Sequence, residues 1–292
     1  MPFSTRPPEN GQPGDNAPLG RGPGGGGPGG RGPGGRGPGG GQSAGLRPGP
    51  LQDIPFTDLL LILAVSLLAQ RLLPSLFLDV AEPGQLAGDE PRNSVLFGGL
   101  WFLITHSAVL LGTIYIVFIK IRGLRLADLG VVLSTRVWVF RAAVLGILAV
   151  PAVIFINVFA QSFSPESFHN PQYDLFASGG LSISLFAASL LIAGILVPIV
   201  EEIAFRGLLY GWLRTRMSLA WAIAISSVFF AVLHGIPFLI PALSLVGALL
   251  AILKEKSGST LVAAVAHSCF NIINLAIMHA ALYYGLFSKS MG

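Results

Sequence analysis

The chain has 292 residues, of which 52% are hydrophobic and only 11% are charged, and its formal net charge is +4. Charged residues make up about 25% of an ordinary soluble domain, so this composition excludes that class of protein. The one cysteine, Cys269, excludes an internal disulfide framework and any cysteine-rich zinc or iron–sulfur site.

The first 50 residues differ from the rest, because they hold 19 of the 37 glycines and 11 of the 21 prolines. Their approximate Arg-Gly-Pro-Gly-Gly repeat lacks side chains that could build a core, so we predict a disordered cytosolic tail over residues 1–52. Its arginines are dispersed and lack interleaved aromatic residues, which favours a solvated tether over binding to nucleic acid or anionic lipid. We therefore expect no nucleic-acid partner. The arginines are Arg6, Arg21, Arg31, Arg36 and Arg47.

Residues 53–292 contain apolar runs of about 17 to 28 residues, long enough for helices that cross a hydrocarbon layer of about 30 Å. The runs are continuous rather than alternating, which predicts helices and no strands. We expect an all-α polytopic transmembrane bundle of seven or eight helices, since the fourth and seventh runs are long enough to contain a break. The predicted spans are 56–79, 95–119, 137–162, 181–213, 219–234, 237–253 and 258–287.

The loop charges predict the orientation of the bundle. The tail and the loop after the second span are rich in arginine and lysine, whereas residues 163–180 contain neither. By the positive-inside rule the N-terminus is cytosolic, and we expect an integral protein of the plasma, or inner, membrane. Residues 121–136 space apolar and basic side chains as an amphipathic helix would, which predicts an interfacial helix on the inner leaflet.

Charged residues directly follow an apolar run in the fourth span. An ionisable side chain inside a span costs at least about 2.5 to 3.5 kcal/mol on insertion scales, so it needs a partner or a function. Glu202 and Arg206 are four residues apart with the acid first, which predicts an ion pair. Glu201 is turned from Glu202 by about 100° and remains available for chemistry. Pro198 predicts a kink, because it leaves the carbonyl of Gly194 without its α-helical donor.

The later spans add His234, His267 and Asn271. His267 and Asn271 are four residues apart and share one helix face. With Glu201 they provide a carboxylate, two imidazoles and a carboxamide, which can activate water and stabilise an oxyanion. The pattern predicts a hydrolase whose residues converge near the middle of the bilayer.

Several other residues that stand out in the sequence are interpreted as structural rather than functional. His106 and His279 have no polar companion at helical spacing, so we predict structural roles for both. Cys269 faces away from the histidine two residues before it and is interpreted as a packing residue. Gly207 and Gly211 form a small-xxx-small pair that predicts close helix contact.

Three ordered motifs resemble those of the CPBP family of intramembrane proteases, also called the Abi or CAAX-protease family, which includes the Ras converting enzyme of eukaryotes. The family carries Glu-Glu-x-x-x-Arg, Phe-x-x-x-His and His-x-x-x-Asn. Here these motifs occupy residues 201–206, 230–234 and 267–271. The similarity covers residues 181–275, which form the motif core of the predicted protease domain 53–292.

The resemblance implies an intramembrane endopeptidase that cuts near the C-terminus of a membrane-associated or lipidated protein, prenylated CaaX proteins being the best-known substrates. Carried over by position, Glu201 would activate water as general base with help from His234, while His267 and Asn271 would stabilise the oxyanion. The glutamate–arginine pair of the first motif would keep that motif in shape.

The resemblance leaves two mechanisms open, with and without metal. Family members are often called metalloproteases, and Glu201, His234 and His267 would supply three ligands to a catalytic zinc. The chain has no His-Glu-x-x-His arrangement with its close pair of imidazoles. We therefore favour a glutamate mechanism without metal and expect no cofactor.

Two other functions compete with proteolysis. A proton-coupled transporter also uses buried carboxylates and histidines, but it predicts polar sites in two repeated halves, whereas the polar residues here crowd into 201–271. A scaffold or immunity protein would keep the fold without hydrolysing a peptide bond, and the three intact motifs argue against it.

Overall fold

The structure, a computed structural model, describes residues 50–77, 89–163, 171–178 and 180–285. The predicted tail lies outside the described residues except at its end, where residues 50–52 belong to a 3₁₀ turn, Pro50–Asp53. Leu51 in this turn is buried.

The described residues form helices and contain no strand, which confirms the predicted all-α bundle. Among them we number eight helices of seven or more residues, within the predicted count of seven or eight. Their bounds are α1 Phe56–Leu72, α2 Asp89–Ile114 with its π-helical continuation Tyr115–Ile121, α3 Arg136–Gln161, α4 Pro171–Ala177, α5 Ile183–Arg214, α6 Leu219–Val232, α7 Pro237–Ser257 and α8 Thr260–Tyr283.

Five of these helices, α2, α3, α5, α7 and α8, are long and apolar enough to cross a membrane. Helices α1 and α6 are apolar but shorter, with 17 and 14 residues. The fourth and seventh predicted spans each form one continuous helix, α5 and α8, so neither contains a break. The eighth helix is the short α4, which lies between two predicted spans.

Large apolar side chains cover the outside of the bundle. On α3, Phe155 is 69% exposed and Val158 is 65% exposed. Such apolar side chains are stable in contact with lipid. The backbone is also stable there, because a helix satisfies its own N–H and C=O groups. The chain is an integral membrane protein.

The buried side chains form two main clusters. One joins α1, α2 and α5 around Phe118 and Leu129. The other joins α3, α7 and α8 around Leu250 and Ala266. A Cβ at Gly146 on α3 would collide with the backbone of Ala266, so glycine lets α3 approach α8 closely just before the third motif.

The interfacial helix predicted over 121–136 is wrong. Gly123 and Gly130 adopt left-handed backbone conformations, with φ of 71° and 72°, which interrupt a helix. Only a single 3₁₀ turn, Leu126–Leu129, forms between them. Leu129 is completely buried, and its carbonyl accepts a hydrogen bond from Thr260 Oγ1 at 2.7 Å. The loop therefore packs into the bundle instead of lying as a helix on the membrane surface.

The predicted small-residue pair of α5 does permit close packing, but against turns rather than another long helix. A Cβ at Gly207 would lie 2.9 Å from the carbonyl oxygen of Leu129. A Cβ at Gly211 would lie 2.7 Å from Leu51 Cδ1. These contacts fix the end of α5 that follows the first motif.

Candidate active site

Helix α5 departs from regular α-helical geometry around the two glutamates. Two π-helical segments, Ile192–Leu196 and Ile203–Tyr210, flank the α-helical segment Val197–Glu202. A π-helical segment bonds each N–H to the carbonyl five residues back, and such segments are frequent at functional sites. The glutamates therefore lie on a locally rearranged part of a long transmembrane helix.

Pro198 frees one backbone carbonyl beside the glutamates. The N–H of Val197 donates to the carbonyl of Ile192, five residues back. Pro198 has no N–H, so it donates no hydrogen bond to the preceding turn. In that turn the carbonyl of Ala193 accepts a hydrogen bond from Asn271 Nδ2 of α8 at 3.0 Å.

Glu202, Arg206 and His267 form a sealed network inside the bundle. Arg206 Nη1 donates to Glu202 Oε1 at 2.8 Å, which confirms the predicted ion pair. The same oxygen lies 2.9 Å from His267 Nδ1. The relative exposures of the three residues are 0%, 1% and 3%. Because a carboxylate only accepts hydrogen bonds, His267 Nδ1 carries a proton and donates it.

Glu202 carries both contacts of the sealed network on one oxygen. Its other oxygen, Oε2, is buried and has no hydrogen-bond partner within the described part of the chain. Leaving a buried acceptor unbonded costs roughly 1 to 3 kcal/mol. The network is therefore held at an energetic cost, which is typical of side chains kept for function.

Arg206 connects the sealed network to α6 and α7. Its Nη2 donates to the carbonyl of Gly247 at 3.1 Å. Its guanidinium lies 4.4 Å from the ring centroid of Phe230, within the range of a cation–π contact. A Cβ at Gly247 would lie 2.9 Å from the Cα of Ser227, so glycine allows α7 to approach α6. Arg206 of α5 thus contacts α6 and α7 directly and is linked to α8 through Glu202 and His267.

A cavity of about 320 Å³ brings the four predicted catalytic residues together. Glu201, His234, His267 and Asn271 all line it. The Glu201 side chain is 25% exposed, and its Oε2 lies 3.8 Å from His267 Nε2, beyond hydrogen-bonding distance. Glu201 accepts no hydrogen bond from the residues that the structure describes. Its carboxylate is thus the available one of the adjacent pair.

His234 lies in the turn that follows α6 and is oriented by the last turn of that helix. Its Nδ1 lies 2.8 Å from the carbonyl oxygen of Phe230, so Nδ1 carries a proton and donates it. Its ring also meets the Phe230 ring edge to face, with centroids 4.7 Å apart. Nε2 is therefore the nitrogen of His234 that remains for other groups, as it is for His267.

The residues that would ligate a metal are not grouped around one point in this structure. Across the described residues, no three His, Cys, Asp or Glu side chains are grouped closely enough to hold a metal ion. The zinc ligand set that the resemblance implies, Glu201, His234 and His267, is therefore not assembled.

The cavity lining also contains four polar residues that the sequence patterns did not single out: Gln172 and Tyr173 on α4, Asn157 on α3 and Asn274 on α8. Asn274 Nδ2 donates to the carbonyl of Phe270 at 2.8 Å, within its own helix. For Asn157 and Asn274, a polar residue in an otherwise apolar span was the available signal. Much of the remaining lining is apolar and includes Phe102, Leu103, Leu175, Phe176, Leu275 and Met278.

The histidines predicted to be structural lie outside the cavity lining. His106 Nε2 is 3.1 Å from Ser66 Oγ, so its polar companion comes from another helix, α1. His279 stacks on Phe186, with ring centroids 4.1 Å apart. Both contacts agree with packing roles.

Residues 183–273 match the family model described as Rce1-like, type II CAAX prenyl endopeptidase Rce1-like. The match contains all three motifs, and it confirms the family that the motifs predict for this part of the chain. It indicates a peptidase. No match was found among curated proteins or among solved structures.

Proposed function

We propose that the protein is an intramembrane endopeptidase that hydrolyses a peptide bond near the C-terminus of a prenylated, membrane-associated protein. The observation that carries this proposal is the available carboxylate of Glu201, which shares an apolar cavity with His234, His267 and Asn271. The family match over 183–273 supports the same activity and substrate class. The cavity's apolar lining suits a lipidated chain end.

In the proposed reaction Glu201 acts as general base. It takes a proton from water as the water oxygen attacks the scissile carbonyl, with His234 Nε2 assisting. The same proton then passes to the leaving amine when the carbon–nitrogen bond breaks. Glu201 suits this role because its nearest ionic neighbour, His267 Nε2, is 3.8 Å away and leaves it accessible.

Asn271 and His267 stabilise the oxyanion in this mechanism. One N–H of Asn271 is bonded to Ala193, which fixes the amide and leaves the second N–H for substrate. His267 already donates Nδ1–H to Glu202, so donation from Nε2 requires the imidazolium form. Once Glu201 has taken the proton, Glu202 and the oxyanion balance the positive charges of Arg206 and His267.

We place the protein in the plasma, or inner, membrane with its N-terminus in the cytosol. The support is the arginine and lysine content of the tail and of the loop between α2 and α3. Cleavage would then occur from the side on which proteins are prenylated.

The proposal is tested with purified protein in liposomes and a farnesylated octapeptide ending in Cys-Val-Ile-Ser, with products identified by mass spectrometry. We expect the wild-type protein to release a C-terminal fragment and Glu201→Gln to release it about 10²- to 10⁴-fold more slowly. Glu255→Gln is the matched control, because Glu255 bonds to Tyr210 and Arg214 away from the cavity lining. Equal cleavage by Glu201→Gln would refute the assigned base.

The same liposomes distinguish the rival functions. A proton gradient that drives solute uptake without any cleavage would support a transporter. If the wild-type protein neither cleaves the peptide nor transports solute, the scaffold interpretation would stand in place of ours.

A further inference from the structure

Helix α3 contains one polar residue in an otherwise apolar span. Asn157 is the only polar side chain in the sequence between Arg141 and Gln161. It lies outside residues 183–273, so the match to the protease family does not account for it. A carboxamide inside a transmembrane helix is unfavourable unless it is bonded or used.

Asn157 reaches the same cavity as the proposed catalytic residues. Its Oδ1 is shielded from solvent and has no hydrogen-bond partner among the residues that the structure describes. The two other cavity asparagines differ, because Asn271 and Asn274 each donate Nδ2 to a backbone carbonyl. Of these three amides, Asn157 is the one left without a bond in the described structure.

We propose that Asn157 binds the backbone of the substrate peptide and positions it in the cavity. A carboxamide offers an acceptor and two donors, the complement of a peptide unit's N–H and C=O. The terminal torsion of asparagine is broad, so a rotation can turn Oδ1 toward an incoming N–H. This inference rests on the proposed endopeptidase function and adds α3 to its substrate site.

The test is a double-mutant cycle between the side chain and the peptide backbone. The probe is the farnesylated octapeptide, with each non-scissile amide of its last four residues replaced in turn by an ester, which removes one N–H. For the wild-type protein, we expect one ester position to raise KM about three- to tenfold, the effect of one hydrogen bond. Asn157→Leu should raise KM by a similar factor for the all-amide peptide and abolish the penalty at that ester position.

The control variant is Val158→Leu, at the next residue of α3, whose side chain is 65% exposed on the lipid-facing surface. It should leave KM and the ester penalties unchanged. Asn157→Leu should also melt no lower than the wild-type protein without substrate, because it removes an unbonded buried acceptor. Asn157→Ser, which shortens the side chain, should show the same loss of the ester penalty.

The outcomes separate this inference from the proposed function. Suppose that the wild-type protein cleaves the octapeptide and that each ester raises KM by the same factor in Asn157→Leu as in the wild-type protein. Substrate positioning by Asn157 is then refuted, while the proposed protease function stands. If both Asn157 variants fold poorly, the residue is structural and the inference also fails. If the wild-type protein does not cleave, the proposed function fails and this inference falls with it.

Discussion

Two adjacent glutamates on α5 belong to very different environments. Glu202 has 0% of its side chain exposed and bonds to Arg206 and His267, whereas the Glu201 side chain is 25% exposed and faces the cavity. The glutamate at position 202 is thus a buried structural residue, whereas the glutamate at position 201 is available as a base. Neighbouring residues on a helix point about 100° apart, so one helix can serve both purposes.

The site therefore has two layers. The sealed network of Glu202, Arg206 and His267 ties α5 to α8 and fixes the His267 ring. In the cavity layer, the imidazole of His267 is therefore held in one orientation, with its Nε2 near Glu201. Changes to the first layer should lower stability, and changes to the second should lower activity with little effect on stability.

The largest expected loss of stability comes from Arg206→Met. It leaves the fully buried Glu202 without its cation, and breaking a buried pair in this way costs about 3 to 5 kcal/mol. Thermal unfolding in detergent measures the effect. The control is Arg214→Met, since Arg214 pairs with Glu255 where their side chains are 41% and 32% exposed, and such pairs contribute under about 1 kcal/mol. Equal losses from both variants would contradict a sealed network.

Asn271→Leu should lower kcat about 10²- to 10³-fold, the usual effect of removing one oxyanion donor. It also leaves the Ala193 carbonyl without its 3.0 Å hydrogen bond, so a smaller loss of stability accompanies it. Peptide cleavage and melting temperature, measured on the same sample, separate the two effects. If the variant loses stability but keeps the wild-type kcat, Asn271 does not act as an oxyanion donor and does not belong to the cavity layer.

Gly247→Ala should destabilise the protein by about 1 to 3 kcal/mol, as overpacking does. The added Cβ would lie 2.9 Å from the backbone of Ser227, which cannot move aside as a flexible side chain can. Gly112→Ala on α2 is the matched control, because an added Cβ there meets nothing within 4 Å. Its melting temperature should be unchanged or slightly raised. Similar melting of the two variants would show that α6 and α7 are not closely packed at Gly247.

The smallest effect is expected outside both layers, in the loop after α2. A hydrogen bond from Arg125 lowers the pKa of Asp128. A carboxyl whose pKa is lower in the folded state stabilises that state above its unfolded pKa, which is about 4. This contribution is lost as the pH falls through the folded pKa. The melting temperatures of wild type and Asp128→Asn should therefore differ slightly at pH 6 and converge below about pH 4. A difference that grows on acidification would contradict the assigned pair.

The sequence was sufficient for features that depend on local spacing. The apolar runs predicted the helices, and the four-residue spacing of Glu202 and Arg206 predicted their ion pair, because both depend on residues within one helix. The interfacial helix failed because Gly123 and Gly130 adopt left-handed conformations, so turn geometry overrode the amphipathic pattern.

Other features of the site require tertiary contacts that spacing alone does not contain. The bond between Glu202 and His267 joins residues 65 positions apart. The hydrogen bond from Asn271 to the Ala193 carbonyl joins residues 78 positions apart. Asn157 was overlooked because it belongs to no motif, although a lone amide in an apolar span is itself a signal.

The most direct test of the two-layer account compares Glu201→Gln with Glu202→Gln, measuring cleavage of the farnesylated octapeptide and melting temperature for each. We expect Glu201→Gln to lose about 10²- to 10⁴-fold in kcat, the contribution of a general base, while melting like the wild-type protein. Glu202→Gln should melt at a lower temperature, because Arg206 loses its buried anion. The account would be contradicted if Glu201→Gln cleaved the peptide at the wild-type rate. It would also be contradicted if both variants lost cleavage activity and melting temperature to the same extent.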